Sequence, residues 1–182
     1  MFRFLKYVIQ LILSPRQGWK DLEESNPVPD ELLSQGLYPL LGIAAVTEFL
    51  GLFYERGTTL AVVLMRAIGD FGAYFVSVFI ARLIFELYLG SVTADKPDMR
   101  RVNTMTVCGI GMLVLFQIIS NCLPWNLVIL KFLPFYVVPV LYMAIPYIGV
   151  ARNCELRFIG IASGAIVGVP LVIYYLLYLL IQ

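Results

Sequence analysis

The sequence has no histidine, only three cysteines and few charges, and each shortage excludes a class of function. Without histidine, and with the cysteines scattered, we expect no zinc site and no other cofactor. A net charge of +1 argues against a nucleic-acid partner, because such proteins carry a strong basic bias. The sequence places no nucleophile beside a base and no paired acids on facing helices, so an enzyme is not predicted either.

What the chain has in abundance is apolar sequence, with 60% hydrophobic residues and a mean hydropathy of +0.87. A soluble domain of 182 residues could not bury that much apolar surface, so the bilayer must act as its solvent. We predict an all-α polytopic membrane protein, in which an N-terminal region (1–32) precedes a five-helix transmembrane bundle (33–182). The predicted spans are about 33–54, 58–89, 102–123, 126–150 and 156–181.

The first 13 residues predict an amphipathic helix that lies in the membrane interface. A signal peptide is the alternative, but the apolar run is short and no small-residue cleavage site follows it. A second short helix is predicted to begin at Ser14 and Pro15, to anchor at the headgroups through Trp19, and to end before Pro27. In the first helix a polar face opposes an apolar one: Arg3, Lys6 and Gln10 against Phe2, Leu5, Ile9 and Ile12.

The basic residues predict the orientation of the chain, because cytoplasmic loops are enriched in Lys and Arg. With the N-terminus inside, only Arg56 falls on the outer side, and we therefore expect an external C-terminus in the cytoplasmic (inner) membrane. Nine basic residues fall on the cytoplasmic side: Arg3, Lys6, Arg16, Lys20, Lys96, Arg100, Arg101, Arg152 and Arg157.

The second predicted span combines intramembrane charge with a ridge of small residues. At 100° per residue, Arg66 and Asp70 share one helix face with Gly69, Ala73, Ser77 and Ala81. Small residues let transmembrane helices approach closely, so this face is predicted to pack inside the bundle. Arg82 and Glu86 fall on the opposite face, spaced i, i+4, and are predicted to pair and reach toward the headgroups.

Counting residues inward from the predicted outer turns places polar side chains of four spans in one layer. They are Glu48, Arg66, Gln117 and Lys131, with Asp70 one turn deeper. Ionisable groups inside a membrane often mark a solute or ion pathway. The alternative is that Glu48, Arg66 and Asp70 neutralise one another and hold the helices together. In either case we expect Arg66 to bond Glu48 or Asp70, with Gln117 close by.

Two further patterns each leave two interpretations open. Gly160, Gly164 and Gly168, spaced i, i+4, i+8, predict a packing ridge, either against the small ridge of the second span or in a dimer. The fourth predicted span is made irregular by three prolines: Pro134, Pro139 and Pro146. They either kink the helix without binding anything or break it at a point that lines an ion site.

Several stretches resemble bacterial proteins of the Yip family. The N-terminal "SPRQGW" leads into a polar helix, and "YPLLGIAA" opens the first of the predicted spans. The segments "CGIGMLVLFQIISNCLPWN" and "YIGVARNCELRFIGIASGAIVGVPLVIYYLL" are similar to that family's later spans. The resemblance extends over nearly the whole chain, and it implies a five-span protein of the cytoplasmic membrane.

Two classes of function follow. The first is a non-enzymatic membrane organiser that binds partners through the N-terminal helices and the loop from Gly90 to Arg101. The second is a small transporter or channel that uses the polar layer. In both cases the bilayer is a partner, and we expect contact with anionic headgroups through basic residues at the cytoplasmic rim: Arg100, Arg101, Arg152 and Arg157.

Overall fold

The computed structural model describes residues 1–55, 57–88, 98–123 and 128–181, apart from the side chains of 128, 129, 131, 178, 180 and 181. All secondary structure within these ranges is helical. Four helices are long and apolar enough to cross a membrane: Pro29–Tyr54, Leu60–Tyr88, Met99–Cys122 and Arg152–Leu177. The first begins four residues before the predicted position, and the segment predicted as the fourth span is not among them.

Two of the four spans are single α-helices and two are composite. The first span contains α3 (Pro29–Leu32), α4 (Tyr38–Thr47) and α5 (Gly51–Tyr54), joined by a π-helical turn at Leu33–Leu37 and a 3-10 turn at Glu48–Leu50. The second and third spans are α6 (Leu60–Tyr88) and α7 (Met99–Cys122). The last contains α10 (Glu155–Ser163) and α11 (Val169–Ile181) around a π-helical turn at Gly164–Gly168.

Helix α7 forms the centre of the bundle. Within its most apolar stretch 72% of the residues are buried, against 33–39% for the other three spans. It packs against the N-terminal helix (Phe2–Leu13), against α4 and α6, and against the last span. Glycine makes this close packing feasible: a side chain at Gly109 would meet Ile166, and one at Gly111 would meet Phe4. The middle of the molecule is therefore filled by side chains from several elements.

The segment between the third and last spans is a chain of short helices. A 3-10 helix (Val128–Tyr136) is followed by α8 (Val137–Tyr142) and α9 (Ile145–Ile148), as expected where prolines remove backbone donors. It runs antiparallel to α7, from the Cys122 end to the Met99 end. Three contacts show this: the Tyr136 and Phe116 ring centroids lie 6.5 Å apart, Leu141 packs against Gly109, and the Tyr147 carbonyl accepts from Arg101 at 2.8 Å.

The N-terminal helices α1 (Phe2–Leu13) and α2 (Pro15–Ser25) are docked on the bundle, and we call them the N-terminal platform. The buried face of α1 differs from the apolar face predicted for it. Phe2 is 83% exposed, whereas Phe4 is buried between Gly36 of the first span and Gly111 of α7. Helix α1 thus has a face inside the protein and an apolar face outside it. The buried residues are Phe4, Tyr7, Val8 and Leu11.

Trp19 on α2 holds the platform in place and is not a headgroup anchor as predicted. Its side chain is only 2% exposed. Its ring stacks on Tyr147 at a centroid distance of 5.4 Å, and its indole N–H donates to the Val140 carbonyl at 2.9 Å. That carbonyl needs an external donor because Ala144, four residues on, bonds the Leu141 carbonyl instead. The indole therefore satisfies a backbone group that the broken helix leaves open.

Candidate functional site

Five polar side chains from three spans form one hydrogen-bonded group, which we call the polar cluster. The Gln117 amide nitrogen lies 3.1 Å from a Glu48 carboxylate oxygen and 3.3 Å from one of Asp70. Asn121 donates to Glu48 at 2.5 Å and to the Thr47 hydroxyl at 3.1 Å. Glu48 is 9% exposed and Asp70 7% exposed, so the two carboxyl groups lie inside the protein. The prediction of a polar layer thus identified Glu48, Asp70 and Gln117 as neighbours.

Local structure explains why these side chains meet. Gln117 and Asn121 are one helical turn apart and therefore share a face of α7. Glu48 opens the 3-10 turn that interrupts the first span. Asp70 lies on the small-residue face of α6, where Ala73 and Ser77 are also buried. Asn121 and Thr47 were missed by the sequence reasoning, although the i, i+4 spacing from Gln117 was a usable signal for Asn121.

The Gln117 amide faces more hydrogen-bond acceptors than it has N–H groups. The Gln117 amide carries two N–H groups, and three acceptors surround it: Glu48, Asp70 and the Asn121 oxygen at 3.1 Å. An oxygen of each of the Asp70 and Glu48 carboxyl groups lies within 3.3 Å of this one nitrogen, so the two groups are close neighbours. Two ionised carboxylates so close together repel strongly in a low-dielectric interior. A proton on one carboxyl would supply a further donor and remove the repulsion.

Arg66 does not enter the polar cluster, and the predicted bond to Glu48 or Asp70 is wrong. Its guanidinium donates to Glu55 at 2.7 Å, with both side chains 40% exposed. The long arginine side chain reaches the end of the bundle, where its charge remains partly solvated at lower desolvation cost. The hydrogen bond from Arg66 holds the pKa of Glu55 below its usual value. Within the described ranges, neither Glu48 nor Asp70 has a basic ion-pair partner.

Two of the predicted contributors lie where the structure gives no description. The side chain of Lys131, placed in the polar layer by the sequence, is outside the described residues. Most of the loop predicted to bind partners, residues 90–97, is also outside them.

The second arginine of α6, Arg82, pairs differently from the prediction. Arg82 lies 3.4 Å from Asp30 at the start of the first span, and Glu86 is exposed. The expected pair between Arg82 and Glu86 is therefore replaced by a contact between two spans. The helix that carries Asp30, α3, also packs against α7.

The four basic residues predicted to face lipid divide into two pairs. Arg100 donates to the Asn26 carbonyl at 2.8 Å. Arg101 bonds Glu23 at 3.1 Å, lies 3.4 Å from Asp98 and stacks over the Tyr147 ring at 5.3 Å. These two arginines hold the N-terminal platform to the bundle. Arg152 and Arg157 are exposed, and the described part of the chain gives them no ion-pair partner.

The two small-residue ridges also differ in position. On α6, Gly69, Ala73, Ser77 and Ala81 are all buried in the bundle. On the last span, Gly160 and Gly164 are exposed, and a side chain added at either would meet nothing within 4 Å. Gly168 has only a distant contact, at 3.9 Å, with the Ser163 carbonyl. The glycine ridge therefore does not pack on the α6 ridge, and dimerisation is the interpretation left open.

Helix length and composition identify the class of this molecule as a helical integral membrane protein, with four apolar helices long enough to span the bilayer among the residues that the structure describes. Comparison with family models, with curated proteins and with solved structures yields no match. Its function must therefore be argued from its own residues.

Proposed function

We propose that this protein is a non-enzymatic membrane organiser of the Yip type, which binds partners on the side that carries the N-terminal platform. One observation carries the proposal: the platform is fixed on the bundle by buried contacts, while its outer surface stays available. Phe4, Trp19 and Leu22 are buried against the bundle, whereas Arg16, Lys20 and Glu24 are exposed. A rigid, charged surface beside a membrane suits the docking of another protein.

The same proposal includes five membrane crossings, with the broken segment 128–148 as the fourth. Its antiparallel path along α7 supports this number, since the segment connects the two ends of that helix. The N-terminus then lies in the cytoplasm and the C-terminus outside, in a cytoplasmic (inner) membrane. A reporter fused after Gln182 should be active only on the external side. Activity in the cytoplasm would contradict five crossings from a cytoplasmic N-terminus.

Site-specific crosslinking in native membranes tests the organiser. A photoreactive residue at Lys20, on the exposed face of α2, should give discrete adducts with another protein. The matched position is Phe53, which is 86% exposed at the opposite end of the first span and should give none. Adducts at neither position, together with measurable ion flux through the purified protein, would refute the organiser and favour transport.

A second candidate function is proton-linked transport, and the polar cluster favours it. Glu48 and Asp70 are buried, share the Gln117 amide and have no basic partner within the described ranges. Buried carboxyl groups inside a membrane that can exchange a proton are the usual elements of proton relays.

Proton flux into liposomes tests this candidate. The intact protein should acidify the lumen under an imposed potential, and Asp70→Asn should abolish the flux while leaving the fold intact. Gln35→Leu, on the exposed surface of the first span, is the matched control. Equal flux through the intact protein and through Asp70→Asn would eliminate the transport candidate.

A further inference from the structure

A groove of about 390 Å³ opens between the N-terminal platform and the segment of short helices between the third and last spans (residues 128–148), which we call the return segment. Trp19 and Tyr147, stacked on each other, form part of its lining. Since the Trp19 indole N–H is already bonded to the Val140 carbonyl, its ring is held in a fixed position. Trp19 and Tyr147 are only 2% and 4% exposed, so the stacked pair fixes the base of the groove without offering much surface of its own. The volume of the groove suits a lipid headgroup.

The groove is lined by equal numbers of cationic and anionic side chains, and only some of them are free to bind a ligand. Arg16 and Lys20 contribute two cations from α2, and Glu23 and Glu155 contribute two carboxylates. Glu23 is engaged by Arg101 at 3.1 Å, and Lys20 lies 3.9 Å from Glu24. Arg16 and Glu155 have no ion pair in the described part of the chain. One free cation and one free carboxylate in the same groove complement a ligand that carries both charges.

The segment that supplies one side of the groove also carries exposed aromatic side chains. Tyr142 lines the groove and is 52% exposed. Along the same return segment, Phe135 and Phe132 are also exposed, at 58% and 62%. Aromatic side chains exposed on a membrane protein face lipid and concentrate at its interface. An acyl chain can therefore lie against this surface while its headgroup enters the groove.

We propose that the groove binds one phospholipid with a zwitterionic, primary-amine headgroup. Arg16 contacts the phosphate, Glu155 contacts the ammonium, and the acyl chains run along Tyr142 toward Phe135. The balanced charge selects against a purely anionic headgroup, because Glu155 would then be left facing negative charge. The inference requires only that the protein lies in a membrane, and it does not depend on the organiser role.

Native mass spectrometry of the full chain tests the proposal. The protein is extracted from vesicles of equal parts phosphatidylethanolamine, phosphatidylglycerol and phosphatidylcholine. We expect one retained phosphatidylethanolamine per chain, and a loss of about tenfold in retention, equivalent to one charge-assisted contact, in Arg16→Gln and in Glu155→Gln. The matched controls are Arg157→Gln and Glu86→Gln, which remove exposed charges outside the groove. Retention of phosphatidylglycerol or phosphatidylcholine at the same level would overturn the proposal.

A second measurement leaves every groove residue unchanged. In a Trp125→Phe protein, Trp19 is the remaining tryptophan, so its fluorescence reports on the groove. Phosphatidylethanolamine with brominated acyl chains should quench Trp19 more strongly than brominated phosphatidylglycerol. Excess soluble glycerophosphoethanolamine should leave that quenching unchanged, because it lacks the acyl chains. Equal quenching by the two lipids, or full displacement by the soluble headgroup, would overturn the proposal.

Discussion

Glu48 and Asp70, from consecutive spans, accept hydrogen bonds from the same nitrogen atom, the side-chain amide of Gln117. Three helices therefore meet at a single donor. The neutral amides of Gln117 and Asn121 stabilise this meeting point. Arg66, which the sequence predicts to lie there, bonds Glu55 instead. Removing the shared donor should consequently affect the whole bundle more than removing the nearby charge.

Gln117→Leu should destabilise the protein by about 1–3 kcal/mol, because it leaves two buried carboxyl groups without their common donor. Thermal unfolding in detergent measures the change. Gln35→Leu makes the same substitution at an exposed position of the first span and should change the midpoint little. Equal effects of the two substitutions would show that the shared donor contributes nothing to stability.

Arg66→Leu should cost less than about 1 kcal/mol, because its pair with Glu55 is partly exposed. A double-mutant cycle identifies the partner. The cost should disappear in a Glu55→Gln background and persist in a Glu48→Gln background. Coupling to Glu48 in place of Glu55 would contradict the observed pairing.

The pair also predicts a dependence on pH. Arg66 lowers the pKa of Glu55 from its usual value of 4.5, so the folded protein binds this proton less readily than the unfolded chain. Its contribution is therefore complete above about pH 5 and is lost as the pH falls through the lowered pKa. Unfolding midpoints measured from pH 6 to pH 3 should fall less steeply for Glu55→Gln than for the intact protein. Parallel curves would contradict this assignment.

Gly111→Ala should weaken the docking of α1, because the added methyl group would lie 2.6 Å from the Phe4 ring. We expect a loss of about 1–3 kcal/mol and faster proteolysis of the first 13 residues. Gly42→Ala, in the first span, has open space around it and should be neutral or slightly stabilising. The Gly111→Ala loss should shrink when Phe4 is also changed to Ala. An undiminished loss in that double variant would exclude Phe4 as its cause.

Trp19→Phe should destabilise the platform by about 1–2 kcal/mol, because the Val140 carbonyl loses its donor while the stacking on Tyr147 is retained. The rate of backbone amide hydrogen exchange in α2 should rise in the same variant. Trp125→Phe is the control for tryptophan loss as such. Unchanged exchange in α2 would mean that the hydrogen bond does not hold the platform.

The sequence was informative where helix periodicity alone decides which residues meet. The 100° spacing placed Asp70 on the buried face of α6, and depth counting brought it near Glu48 and Gln117. It failed for Arg66, Arg82 and Trp19. These side chains are long, so their hydrogen-bond partners depend on which helices are neighbours in the bundle. Glu55, Asp30 and Val140 become reachable only after the spans pack, and no local pattern encodes that packing.

The amphipathic pattern of α1 misled for a related reason. A helix with apolar residues on more than one face can bury any one of those faces. In α1 the face of Phe4 is buried, because Gly36 and Gly111 leave room for its ring. Likewise, the spacing of Gly160 and Gly164 indicates a ridge without indicating what covers it. Composition indicates which helices are apolar enough to cross a membrane, and the neighbour of each face is a property of the assembled bundle.

The bond from Trp19 to the Val140 carbonyl connects positions 121 residues apart, and this separation constrains how the chain is made. Synthesis proceeds from the N-terminus, so α2 leaves the ribosome long before its acceptor exists. The Trp19 indole N–H cannot form this hydrogen bond until the return segment has been synthesised and inserted. Helix α1 can reach Gly36 and Gly111 earlier, because both precede the return segment in the chain. A chain that stops before residue 140 therefore has a docking site for α1 but lacks the acceptor that fixes α2.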